Sequence, residues 1–229
     1  MIYDGIFFVN HALKVNQLSV YNEEERFNQT IETLDSINKY CPNNRVFIFD
    51  SSPDRPNIEY IQELNNRDAI FLYMGDEPDV KKFSNLGQRS IAECISFIYF
   101  LNWFKKQEFQ SERIYKISGR YRINENFIKD NERFKDSFVF ANSHNSWMTD
   151  QKKYFSGVRR LYLLRFWHMD YNLLDIFQEK LPQILTECVT FDIDVEHSYY
   201  KNLHTYKTIE LDKIGVCGNI APSGAYVDE

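Results

Sequence analysis

The residues best suited to hold or transform a polar ligand fall in short groups, each just after an apolar run. Asn10 and His11 follow the first run, and Asp50, Ser51 and Ser52 the second. Gly75, Asp76 and Asp79 follow the third, and Ser118, Gly119 and Arg120 the fourth. Carboxylates, hydroxyls and a guanidinium can bind phosphates or a cation. Turns use the same residue types, so the grouping counts for more than any one member. A further segment, Ser84-Asn85-Leu86-Gly87-Gln88-Arg89, precedes a long apolar stretch. As a helix start it would offer free amides to an anion, with Gly87 permitting close approach, although a plain capped start is the simpler expectation. Acids concentrate later, in Asp192, Asp194 and Glu196. On a helix Asp192 and Glu196 share a face, and on a strand all three do. Such a group could supply a base for a hydroxyl, although acids at a helix start are also what its macrodipole favours. His144, His168 and His197 are unclustered and read as packing or surface histidines. Cys41, Cys94, Cys188 and Cys217 are far apart with no CxxC, which predicts free thiols and no structural zinc.

The elements that must position these groups alternate through the first half. Apolar runs predict strands over residues 3–10, 45–49, 69–74 and 113–117. Helical spacing predicts helices over 22–40, 57–64 and 84–106, the first with Asn22 as N-cap. That order predicts an α/β fold with a mostly parallel sheet flanked by helices. In such sheets ligands bind beyond the carboxyl ends of the strands, where the polar groups fall. The second half loses the alternation. It carries a strand over 138–141, a junction over 153–163, helices over 170–185 and 187–203, and a last strand over 214–216. This α+β half is expected to cover one end of the sheet. Tyr99, Phe100, Trp103 and Phe104 read as core. Core packing is also the first expectation for Trp147 and Trp167, with sugar stacking the alternative.

Composition narrows the partners. The 229 residues carry 27 Lys+Arg against 33 Asp+Glu, a net charge of −6, which disfavours nucleic acid as a partner. With 19 Phe, 15 Tyr and 3 Trp the chain can build a large aromatic core, and nothing in it reads as disordered. The apolar stretch 91–104 contains Glu93 and Asn102 and is too short for a transmembrane segment. The first residues include Asp4 and no basic run, so they do not read as a secretory signal, and a cytoplasmic location is expected. No linker or repeat interrupts the chain. One domain over 1–229 is expected, with a nucleotide-sugar-binding half over 1–125 and an acceptor-side half over 126–229.

The order of elements, the Asp closing Phe47-Ile48-Phe49-Asp50-Ser51-Ser52, the Asn85-Leu86-Gly87 segment and the polar loop after the fourth strand resemble GT-A glycosyltransferases. In outline the likeness is nearest to the family 2 group. Lys116-Ile117-Ser118-Gly119-Arg120-Tyr121 also looks like a motif of viral and bacterial glycosyltransferase-like proteins. The resemblance covers residues 1–125. It implies sugar transfer from a nucleotide-diphosphate donor to a hydroxyl acceptor, chiefly a glycan. It further implies that Asp50 holds the nucleoside, that Asn85 and Gly87 lie near the diphosphate, and that Asn10, His11, Ser51, Lys116, Ser118, Gly119 and Arg120 complete the donor site. Where the family has Asp-x-Asp for Mn2+ or Mg2+, this chain has Ser118-Gly119-Arg120, which cannot ligate such an ion. Arg120, with Lys116 or Arg122, could meet the diphosphate instead, and Gly119 would let the backbone approach the phosphates. Asp76 and Asp79 are the remaining metal candidates. Glu196 is the first choice of base, since similar proteins place a Glu at the start of a late helix, and Asp194 is the second. The alternatives are a non-catalytic sugar- or nucleotide-binding module or degenerate transferase, and then a sugar-phosphate nucleotidyltransferase.

Overall fold

Parallel strands buried on both faces need unbroken apolar runs, and the first strand has one. Ile6, Phe7, Phe8 and Val9 are all fully buried. The computed structural model describes residues 2–15 and 19–229. The first half reads β1 (Gly5–His11), α1 (Glu23–Tyr40), β2 (Asn44–Asp50), α2 (Ile58–Asn66), β3 (Ala69–Tyr73), α3 (Pro78–Asn85), α4 (Arg89–Phe104) and β4 (Arg113–Ser118). The second half adds β5 (Tyr121–Ile123), β6 (Phe138–Ala141), α5 (Asp150–Ser156), β7 (Phe166–Asp170), α6 (Leu174–Phe191), α7 (Val195–Leu203), β8 (Thr208–Leu211), β9 (Val216–Asn219) and β10 (Tyr226–Asp228).

The main sheet has seven strands in the order β8-β6-β7-β4-β1-β2-β3. Only β7 runs against its neighbours β4 and β6, and every other pairing is parallel. The α/β, mostly parallel architecture is therefore as expected. The second half differs from expectation: it continues the sheet with β6, β7 and β8 instead of capping one end. A small sheet of β10-β9-β5 packs to one side. Register sets the site, because His11 of β1 pairs with Asp50 of β2, and Asn10 with Ser118 of β4.

One face of the sheet is covered by α3, α4, α6 and α7, the other by α1, α2 and the small sheet. On the first face Phe8, Phe49, Phe97 and Phe104 surround the Phe100 ring, with centroids 4.7 to 6.2 Å away. Removing a ring from such a cluster costs about 3–5 kcal/mol, so α4 is firmly placed. α1 begins with a capping box, in which Asn22 Oδ1 accepts from the Glu25 amide at 2.9 Å and Glu25 Oε2 from the Asn22 amide at 2.7 Å.

Two helices differ from expectation. The single helix predicted over 84–106 is two, because Gly87 adopts a left-handed φ of 72° between α3 and α4. The helix predicted over 187–203 breaks at Asp192, which takes φ 50° and ends α6. Asp192 therefore lies outside α7, and the shared helical face with Glu196 does not form. All four cysteines are buried and free. No helix among the described residues is long and apolar enough to cross a membrane.

Candidate functional site

The carboxyl ends of β1, β2 and β4 open onto a cleft whose far wall is the α3–α4 corner. Its lining includes Asn10 and His11 at the end of β1 with Ala12 beyond it, Ser51 and Pro53 after β2, and Ser118 at the end of β4 with Arg120 beyond it. Arg26 reaches it from α1, and Ser84, Asn85, Gly87, Arg89 and Glu93 from the corner.

The floor is a buried polar assembly. Asp50 is fully buried, and its carboxylate accepts from the Leu13 amide at 2.8 Å and the Ser52 amide at 2.9 Å. His11 Nδ1 lies 3.2 Å from the same carboxylate. Burial alone would raise Asp50, but His11, Ser52 and the Leu13 amide hold it below its ordinary value. Burial, opposed by Asp50, pushes His11 down. The neutral ring donates Nδ1–H to Asp50 and leaves Nε2, 2.8 Å from Thr30 Oγ1, as acceptor. A Cβ on Gly119 would come within 2.5 Å of the His11 ring. That close approach is why glycine stands here, and it faces His11, whereas the sequence expectation was an approach to phosphates. Asp50 likewise lies beneath the cleft and outside its lining. Its carboxylate holds the 11–13 and 50–52 loops together.

Above this floor the cleft is cationic. Arg26 is almost wholly buried, donating from Nη1 to the Ala12 carbonyl at 2.7 Å and from Nη2 to Ser19 Oγ at 3.0 Å. Burial, then Arg120 and Arg89, depress it to about 9, so it stays charged at neutral pH. Arg89 is depressed by burial and by Arg120. Three guanidiniums are thus close enough to repel one another in one cleft. Arg26 Nε, Arg120 Nε and Asn10 Oδ1 are buried without a hydrogen-bond partner among the described residues. Such orphaned groups are costly unless a ligand satisfies them. Gln88 gives α4 no side-chain cap and its first turn holds no acid, which favours an anion near that end, while the Arg89 amide itself donates to the Gly87 carbonyl at 3.0 Å.

Glu93 belongs to the corner wall of the cleft, whereas Glu196 and Asp194 lie outside its lining. Glu93 of α4 pairs with the buried Lys116 Nζ at 3.1 Å. That ammonium also donates to the Leu164 carbonyl at 2.5 Å and to Ser118 Oγ at 3.2 Å. Lys116 is therefore committed within the fold and absent from the lining. Glu196, in the first turn of α7, is pushed up to about 7 by burial, then by Asp194 and Glu93. Lys116 and Arg165 oppose the shift, so Glu196 feels the groups at the cleft's edge. Asp194 precedes α7 and accepts from Trp147 Nε1 at 3.3 Å.

The structure brings Asn10, His11, Ser51, Asn85, Gly87, Ser118 and Arg120 together in the lining, with Gly119 against the floor. Asp76 pairs with Arg55 on the surface, and Asp79 is exposed on α3. Neither reaches the cleft. Arg122 pairs with Glu32 at 3.1 Å, also outside it. Asp192 pairs with Lys152 and is exposed. Trp167 is fully buried as expected, whereas Trp147 is exposed, against the expectation of core packing. Arg26, Arg89 and Glu93 are charged lining residues that sequence reasoning did not choose, and Arg26 is revealed only by its place against the Ala12 carbonyl. No group of three or more His, Cys, Asp or Glu among the described residues could hold a metal ion. The loop that would carry the metal ligands offers a hydroxyl and a guanidinium amid other cations. This donor set does not fit a divalent ion.

No protein-family model and no curated protein matches the sequence. Solved structures do match in fold. Core-mannan synthase A from Aspergillus fumigatus, in its Mn/GDP form, is 12% identical. The likeness covers 99% of this chain and 81% of that one, with a TM-score of 0.53. CTP:phosphocholine cytidylyltransferase from Streptococcus pneumoniae is 10% identical over 95% of this chain and 93% of that one, with a TM-score of 0.47. The chain has a mixed α/β, GT-A-like fold, similar to that of core-mannan synthase A.

Proposed function

We propose that the protein is a glycosyltransferase that moves a sugar from a nucleotide-diphosphate donor to a hydroxyl acceptor. The observation that carries this reading is the meeting of Arg26, Arg89 and Arg120 with the uncapped start of α4, on the ligand side of a GT-A-like sheet. A diphosphate matches that arrangement in charge and geometry. Asn10, Ala12, Val15 and Pro53 are left to receive the nucleoside. In a direct displacement the acceptor oxygen bonds the anomeric carbon as the bond to the diphosphate breaks. The hydroxyl proton passes to Glu196, which needs a value near the working pH to act as a base. The guanidiniums offset the charge that grows on the departing diphosphate, the duty an ion performs elsewhere. The fold neighbour with Mn and GDP leaves metal use as the competing possibility, and the residues of the loop after β4 speak against it here.

The test is a thermal-shift screen against UDP, GDP, CMP and their sugars, with EDTA and then with manganese. A ligand at a few hundred times its dissociation constant should stabilise by about 3 kcal/mol. Binding and transfer should survive EDTA. Arg120→Ala should lower affinity about 10- to 100-fold, as expected for a charged hydrogen bond worth about 1.5–3 kcal/mol. Strict manganese dependence with Arg120→Ala near wild type would overturn the assignment of the arginines. Binding without transfer or donor hydrolysis would favour a binding module.

A further inference from the structure

A tryptophan is usually buried, yet Trp147 is 58% exposed and held in one orientation. Its Nε1–H donates to Asp194 Oδ2 at 3.3 Å. Its ring meets the His197 ring edge-to-face, centroids 5.3 Å apart. His197 is fully buried and fixed in turn, with Ser146 Oγ 2.9 Å from its Nε2. Beside this platform runs an open groove lined by Asn145, Ser146, Asp150, Lys153, Tyr154 and Arg159. Tyr154 is 83% exposed. The groove holds one acid against two bases, and Asp150 lies 3.5 Å from Lys153. Little net field is left to attract a polyanion.

We propose that Trp147 and this groove bind a pyranose chain, the acceptor of the reaction proposed above, on which this inference rests. A pyranose presents an apolar C–H face and a rim of hydroxyls. A flat indole beside amide, hydroxyl, carboxylate and ammonium groups matches both. A lipid surface would call for a continuous apolar patch, whereas Asn145, Ser146, Asp150, Lys153 and Arg159 interrupt the exposed aromatic rings along this groove with polar groups. The preset indole spares part of the ordering cost of binding. Position supplies the link to chemistry, because Asp194, which holds the indole, stands two residues before Glu196. A sugar ring stacked on Trp147 would sit beside Asp194, at the start of the helix that carries Glu196.

Saturation-transfer NMR with a panel of neutral oligosaccharides (manno-, gluco-, galacto- and chito-pentaoses) tests this in the wild type, Trp147→Ala and Trp147→Tyr. At least one pentaose should bind the wild type, bind Trp147→Tyr within about threefold, and bind Trp147→Ala at least tenfold more weakly. Calorimetric binding of nucleotide should be the same in all three proteins. No pentaose bound by the wild type, or equal binding by Trp147→Ala, overturns the proposal. If a pentaose binds through Trp147 and no nucleotide binds, the sugar site stands and the transferase reading falls.

Discussion

Replacing Glu196 by Gln separates a catalytic carboxylate from a merely structural one. Its environment raises it from 4.5 to about 7, chiefly through burial, then through Asp194 and Glu93. The folded protein therefore holds the proton more tightly than the unfolded chain does. Stability from this group is fully present below pH 4.5 and is lost as pH rises through about 7. A displacement of that size leaves the ionised side chain costing about 3 kcal/mol above neutral pH. Glutamine keeps the shape and cannot ionise, so Glu196→Gln should stabilise the protein by up to about 3 kcal/mol at pH 8.5 and scarcely at all near pH 4.5. For a chain of this length that corresponds to a gain of about 6–12 °C in Tm. Donor binding should persist while transfer falls by about 10²- to 10⁴-fold. In the wild type kcat/KM should climb with pH through about 7 as the carboxylate loses its proton. Thermal unfolding of both proteins from pH 4.5 to 9, beside the pH–rate profile, measures these together. A stability difference independent of pH, or an equally active variant, would refute the reasoning and turn attention to Asp194.

Asp50→Ala should destabilise the fold by about 3–5 kcal/mol in chemical denaturation, because it orphans His11 and the Leu13 and Ser52 amides at once. A selective loss of nucleotide affinity with normal stability would instead return Asp50 to ligand contact. Gly119→Ala should cost about 1–3 kcal/mol and weaken nucleotide binding in calorimetry, since the new Cβ meets a His11 ring pinned by Asp50 and Thr30. Wild-type behaviour of that variant would mean that the His11 ring gives way easily.

Much of the sheet was legible because β1 to β4 are apolar runs bounded by turn residues, and buried strands are written that way. β7 was not. Phe166–Asp170 carries His168 and Asp170, and polar letters read as loop. His168 is tolerated inside because Arg113 of β4 donates to its Nδ1 at 3.0 Å, a partner 55 residues away. The α3–α4 corner was misread since helical spacing runs through it, and only the left-handed Gly87 breaks the turn. Of the residues chosen at the strand ends, Asn10, His11, Ser51, Ser118 and Arg120 line one cleft, whereas Asp50, Ser52, Gly75, Asp76, Asp79 and Gly119 do not. Asp50 and Lys116 were legible as chemistry but not as buried. Arg26 stands among the acids and amides of α1 and looks like an ordinary surface residue until the 12–15 segment folds over it.

The three mutually repelling guanidiniums have a bearing on throughput. Guanidiniums this close repel one another, and a polyanion held among them relieves the repulsion. For a sugar transfer run on such a surface, substrate and leaving group share the diphosphate that provides the relief. The spent nucleotide would then compete with the donor for the same arginines. Product inhibition and slow release would pace turnover, and inorganic phosphate in an assay buffer would contend for the same seat. The chemical step would gain from the arginines what the exit step loses.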